Sequence, residues 1–169
     1  MSLKSMMARG TVVLAAAGKM MQTLQVRLTA NELKDNVEHF EPYGLTSNPL
    51  PGAEVLTLFL GGDRSNAVVV VASDRRYRIK ELAPGEVAIY TDEGDSIHFK
   101  RGRIIDIQTG TLNIKATDSV NFDTPTMTQT GQFVSQGDQV AGGVSQINHL
   151  HDGVEMGDDQ SGPPIPEAE

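Results

Sequence analysis

Apolar and polar residues alternate along much of this chain with a period of two, the spacing that puts every second side chain on one face of a strand. The pattern is sharpest in the second half. There apolar pairs recur as Ile97/Phe99, Ile105/Ile107, Leu112/Ile114 and Val120/Phe122, their first members 8, 7 and 8 residues apart, with weaker echoes at Met127 and Val134. Between the pairs lie Gly102, Gly110, Asp118-Ser119, Pro125 and Gly131, residues that let a chain bend between short strands. A coiled coil would need apolar residues at i and i+3 or i+4, and the segment is rich in Thr, Gly, Asp and Asn, which are poor helix formers. Short strands with two inward apolar side chains cannot cover both of their own faces. Stacking copies of the chain about a shared axis does so, and the pattern therefore predicts a rod of short strands shared between copies over 96–148, their number left open.

The first half alternates over shorter stretches. Met20 to Leu28 and Glu54 to Leu60 read as half-buried strands, and Val87 to Thr91 as another short one. Val68-Val69-Val70-Val71 is a β-branched run suited to a strand covered on both faces. Asn31 to Glu41 is acidic and irregular, with a short helix left open, and 42–52 is a Pro/Gly-rich loop. Strands and turns at this spacing fit a small barrel of the oligonucleotide/oligosaccharide-binding (OB) size over 21–95, a label that says nothing about ligands. Residues 1–20 are then a strand or extension ahead of it. The run Thr11 to Ala17, preceded by Lys4 and Arg9, has the look of a signal peptide, but it is short, and a first strand or short helix joining the following domain is the better reading.

Composition narrows the function. The 169 residues include no cysteine, so disulfides and thiolate metal sites are excluded and the fold rests on packing, strand pairing or assembly. Acidic residues outnumber basic ones 22 to 14, a net charge of −8 that a trimer would triple, which argues against nucleic acid as a partner. The basic stretch Arg75-Arg76-Tyr77-Arg78-Ile79-Lys80 reads as a solvated strand end or a docking contact rather than a phosphate site. Aromatic residues are only 5% and Trp is absent, which disfavours sugar- or base-stacking surfaces. Gly61-Gly62-Asp63 and Gly142-Gly143 lack the context of a nucleotide loop. No run of about 18 apolar residues is present.

Of the four histidines, His39 and His98 read as surface residues, whereas His149-Leu150-His151 carries chemical content. On a strand the two imidazoles project to the same side. One chain supplies too few donors for a stable site, but two chains about an axis supply four and three supply six, the six-donor set being suited to first-row ions such as iron or nickel where structural zinc prefers four. With every position filled by protein, the ion would be structural rather than catalytic. The rival reading is a single-chain metal-dependent hydrolase using His149, His151 and a carboxylate such as Asp152 or Asp158. A third is a trimeric receptor-binding fibre whose barrel recognises carbohydrate or protein.

The chain resembles the central baseplate spike proteins of contractile-tailed phages, of the Mu type and its prophage relatives. The likeness runs through Phe40-x-Pro42-Tyr43-Gly44, Pro49-x-Pro51-Gly52, Gly61-Gly62-Asp63-Arg64 and Gly85-Glu86-Val87-Ala88-x-Tyr90-x-x-x-Gly94. It continues through His149-x-His151-x-Gly153-Val154-x-x-Gly157-x-x-x-Ser161-Gly162-x-Pro164. The resemblance implies an all-β protein: an OB-like barrel, a trimeric β-helix, and an apex over 149–169 where His149 and His151 of three chains hold one iron ion. It also implies a virion protein without enzymatic activity, made in the host cytoplasm and placed at the tip of the tail baseplate. Its partners would be hub and tail tube proteins and, when the sheath contracts, the host outer membrane. Outward Asp and Asn rows leave further ions such as calcium conceivable. Leu150 and Asp152 depart from the small residue and the Gly or Pro usual in that family. Leu150 should point away from the metal, Asp152 could accept from an imidazole N–H, and part of Glu155 to Glu169 would fold back around the apex.

Overall fold

The computed structural model describes residues 6–153 and residue 157. They divide between Lys115 and Ala116 into two units. The regular structure is all-β: β1 (Met7–Ala16), β2 (Thr23–Leu28), β3 (Leu33–His39), β4 (Glu54–Phe59), β5 (Ala67–Ser73), β6 (Val87–Tyr90), β7 (Ser96–Lys100), β8 (Ile104–Gln108), β9 (Val140–Ala141) and β10 (Val144–Ser145). Two single 3-10 turns, Thr29–Asn31 and Leu60–Gly62, are the helical geometry among the described residues.

Strands β1 to β5 close into a barrel in the order β1-β2-β3-β5-β4, with β3 and β5 parallel and the other neighbours antiparallel. Closure pairs every stave on both sides and leaves no free sheet edge. Alternation supplies the interior: Val12, Leu24, Val26, Leu28, Val37, Ala53, Val55, Phe59 and Val69 form one buried cluster. At about 25 cal/mol per Å² of apolar surface, each of these larger side chains contributes roughly 1.5–3 kcal/mol.

Four expectations change. Met7–Ala16 is a stave of the barrel, not an extension ahead of it, and the run that looked like a leader supplies Val12 to the core. The irregular stretch 31–41 is mostly strand β3, disguised because only Val37 and His39 of its residues turn fully inward. Val87–Tyr90, placed within the barrel by the pattern, pairs instead with β7 in a separate sheet, so the barrel strands end at Ser73. The valine run is covered only in part: Val68 and Val69 are buried, Val70 and Val71 exposed. A register shift opposite Leu56/Thr57 inserts Val70 as an extra residue and turns it outward.

The topology gives the barrel two distinct ends. The chain enters at Met7, beside the β2–β3 and β4–β5 turns. At the opposite end lie the β1–β2 turn, the 40–53 loop and Ser73, where the chain leaves. Glu41 organises the loop by accepting from Thr46 Oγ1 (2.9 Å), Ser47 N (2.7 Å) and Ser47 Oγ (2.8 Å).

Strands β6, β7 and β8 form an antiparallel sheet with register pairs Val87↔Phe99, Ile89↔Ile97, Ile97↔Ile107 and Phe99↔Ile105. Six apolar side chains thus share one face, as the i, i+2 pairs predicted, and all six are exposed. His98 lies on the other face. Its Nε2 is 3.1 Å from Glu86 Oε2, and its side chain is only 19% exposed, which corrects the surface reading. Glu86 also accepts from the backbone N–H of Arg101 and Ala83, and these bonds, the Arg101 one foremost, hold its carboxyl below the usual range.

Candidate functional site

Residues 109–139 contain apolar side chains at strand spacing but no strand, and no backbone-to-backbone hydrogen bond joins 109–138 to another described residue. Local side-chain bonds bend the chain instead: Thr124 Oγ1 donates to Thr126 O (3.0 Å), Gln129 Nε2 to Gly131 O (2.9 Å) and Ser135 Oγ to Gly137 O (2.7 Å). Leu112, Ile114, Val120, Phe122, Met127, Phe133 and Val134 are exposed, Phe122 at 66% and Val134 at 81%. Unpaired backbone in an extended chain and an uncovered apolar series are both forms of unmet demand.

The segment leading to the histidine pair is built on a miniature hairpin. Strands β9 and β10 pair as Val144↔Ala141 and Ser145↔Val140, across a turn in which Gly142 (φ 57°) and Gly143 (φ 85°) are both left-handed. Two consecutive positive φ values match a tight hairpin turn that glycine makes without strain, and this accounts for the glycine pair. Asp138 accepts from the Ile147 N–H (3.1 Å), and the Ser145 hydroxyl is the foremost of the bonds that depress its carboxyl pKa. Gln146 N donates to Gln139 O (2.9 Å) and Asn148 N to Ser145 Oγ (2.8 Å), so the chain entering the histidine pair is held in place.

His149 and His151 lie together, ring centroids 4.9 Å apart and nearly perpendicular. The Nδ1–H of His149 donates to the Ser145 carbonyl (2.8 Å), which fixes that tautomer and leaves Nε2 with its lone pair free. This is the usual arrangement of a metal-binding imidazole, so His149 is suited as a donor to a cation. Among the described residues no third His, Cys, Asp or Glu joins them, so a single chain offers two donors of the wanted kind. Leu150 is 93% exposed. The carboxylate of Asp158 and the fold-back of the tail beyond Gly153 lie outside the described residues, apart from Gly157.

Sequence reasoning missed the second-layer acceptor, the Ser145 carbonyl, because a backbone group leaves no trace in side-chain pattern. It also misplaced His39, which is 4% exposed and inside the barrel wall. Its Nδ1–H donates to Gln22 Oε1 (2.9 Å) while Gln22 Nε2 donates to Ser47 O (2.7 Å), linking β3 through the residue before β2 to the 40–53 loop. Burial lowers the His39 pKa, with Glu41 pulling weakly the other way. The basic stretch is largely used internally: Arg75 pairs with Glu54 (2.7 Å), and Arg76 pairs with Asp74 and donates to Pro51 O (3.0 Å).

Comparison with known proteins bears on the whole chain. Residues 9–76, the barrel and the first turn beyond it, match the family model described as Bacteriophage Mu Gp45, N-terminal. A relative from Escherichia phage Mu, the "Baseplate puncturing device gp45", is 38% identical over 166 aligned residues, covering 88% of this chain and 84% of the relative. The "Mu-like prophage FluMu protein gp45" of Haemophilus influenzae is 32% identical over 176 aligned residues, covering 97% of this chain and 92% of the relative.

Proposed function

This chain belongs to the Mu gp45 family of phage baseplate spike proteins, and we propose that it works as the trimeric, metal-tipped point of a contractile tail. One observation carries the trimer: an extended stretch, 109–138, with neither backbone partners among the described residues nor cover for its apolar residues. Three copies wound together supply both at once, since the apolar pairs meet at the axis and strands of neighbouring chains exchange hydrogen bonds. The exposed six-residue face of the β6–β8 sheet is covered in the same assembly. The barrel, of OB-like strand order, is the base through which the point attaches to hub and tail tube proteins.

At the far end His149 and His151 of three chains converge on one ion, for which iron is the assignment. When bound, the metal cross-links three chain ends that would otherwise splay. The residues supply donors of fixed orientation: Ser145 holds the His149 ring and the β9–β10 hairpin holds Ser145. The role is mechanical. A rod with no free sheet edge resists fraying as the sheath drives it through the host outer membrane. Membership of a baseplate family supports a role without catalysis over the hydrolase and receptor-fibre readings.

Multi-angle light scattering and elemental analysis of the purified full chain test this. The expected result is a trimer with one iron for three chains; a monomer ends the assembly reading, and a metal-free trimer ends the metal reading alone.

A further inference from the structure

The barrel end from which the chain leaves holds a recess of about 500 Å³ between the β1–β2 turn and the 40–53 loop, and the spike reading gives it no occupant. Its floor is polar: Gln22 and His39 line it and are both buried. The hydrogen bonds there fix which atoms are left over. Gln22 Nε2 donates to the Ser47 carbonyl (2.7 Å), so Gln22 Oε1 is the atom beside His39 Nδ1 (2.9 Å) and accepts from it. Burial, outweighing the pull of Glu41, lowers the His39 pKa, so the ring is neutral at neutral pH and its Nε2 carries a bare lone pair. Among the described residues Thr57 Oγ1 is the one buried side-chain polar atom without a partner. Nε2, which bonds to no described residue, is therefore open to the recess that His39 lines.

The donors around the recess are spent in the same way. The Thr46 hydroxyl and the N–H and hydroxyl of Ser47 all donate to Glu41 (2.7–2.9 Å), which fills three of the roughly four acceptor positions of a carboxylate. Burial pushes the Glu41 carboxyl up, but these bonds outweigh it and hold it below the usual range, so it stays charged. Lys19 turns its ammonium to Asn36 Oδ1 (3.0 Å), which is not part of the lining. A ligand would find a lone pair on His39, a vacant position on an anionic carboxylate, and apolar walls from Met20, Met21 and Phe40. Acceptors and one negative charge between such walls call for a donor-rich cation with a flat apolar face, which describes a guanidinium better than an ammonium. Around the mouth Tyr43, Met20, Leu45 and Phe40 are exposed, on a loop tied down by the Glu41 bonds and a Leu45 N to Pro42 O turn (3.0 Å). Rigid apolar residues ringing a buried polar anchor point are the anatomy of a protein-binding hot spot, and more than a free small molecule needs. The net charge of −8 draws basic partners.

We propose that the recess is a socket for an arginine side chain of a separate, basic protein, its guanidinium donating to His39 and Glu41 with its plane against Phe40. The socket lies within one chain's barrel, so it holds or fails independently of the trimer. The test is nuclear magnetic resonance of the full chain carrying isotope-labelled histidine, titrated with N-acetyl-arginine methylamide, with the His39→Gln variant identifying the His39 signal. That signal should move saturably at about millimolar probe, the range open to a single side chain, while those of His98, His149 and His151 stay in place. The matching citrulline probe, of the same shape without the charge, and the lysine probe should each bind more weakly by roughly fivefold or more. In the native chain, an equal response to the citrulline or lysine probe overturns the socket. So does a His39 signal that no probe moves, which is what a recess already filled by another copy would show. Glu41→Gln should weaken the arginine probe by a similar factor; if that variant displaces the His39 signal before any probe is added, its loop has lost its order and the native-chain titrations decide alone.

Discussion

The barrel and the stretch from 109 to 139 use the same pleated alternation to opposite ends. In the barrel, Leu24, Val26 and Val55 alternate with polar neighbours and reach nearly complete burial within one chain, because five staves return to close on one another. In the later stretch Leu112, Ile114, Val120 and Phe122 alternate in the same way and remain 48–66% exposed. Hydrophobic pattern specifies that a face must be covered; topology decides whether the cover comes from the same chain. The barrel buries its core within one chain, while in the proposed trimer the rod's interior forms only between copies.

The largest effect should come from attacking the shared interior. In the proposed trimer, Phe122→Asp places a carboxylate in each copy where the apolar residues meet, a cost of several kcal/mol per copy without a partner charge. Light scattering should show monomers, while circular dichroism should retain the barrel's β signal. A variant still trimeric would erase the contrast between the regions. The converse change, Leu24→Ala, opens a cavity in the barrel and should cost about 3 kcal/mol. Denaturant unfolding should then lose the barrel at lower concentration with the rod still assembled.

Smaller in reach is the double substitution His149→Ala/His151→Ala, expected to abolish bound metal in elemental analysis and to increase proteolysis near the hairpin, with the trimer otherwise intact. Retention of the ion would show that other groups hold it. The smallest effect concerns His39. Burial depresses its pKa below the ordinary 6.5, so the unfolded chain binds a proton that the folded barrel refuses. Its stabilising contribution is complete above 6.5 and falls as the pH drops toward the native pKa. The barrel's denaturation midpoint should be lower at pH 5 than at pH 7.5, and His39→Gln should narrow that gap; an unchanged gap would assign it to other groups.

Much of this was legible beforehand. Pairs such as Ile97/Phe99 and Ile105/Ile107 share a face and pair across strands as their spacing required. What pattern could not reveal were the irregularities that re-aim side chains. Asn36, at φ 54°, and the register shift opposite Leu24/Val26 hide β3 from any strict period. The shift at Leu56/Thr57 sends Val70 outward from a run that reads as wholly interior. At the candidate metal site the histidine pair was visible as His149 and His151, yet the Ser145 carbonyl that orients His149 belongs to the backbone and is found only in three dimensions.

Chain entry at Met7 and chain exit at Ser73 lie at opposite ends of the barrel. A thrust delivered at one and resisted at the other runs parallel to the staves and across their hydrogen bonds, so the ladders are strained in shear and yield together. Entry and exit at one end would peel them apart bond by bond. The connectivity thus makes this small closed sheet a coupling able to transmit impact along its length.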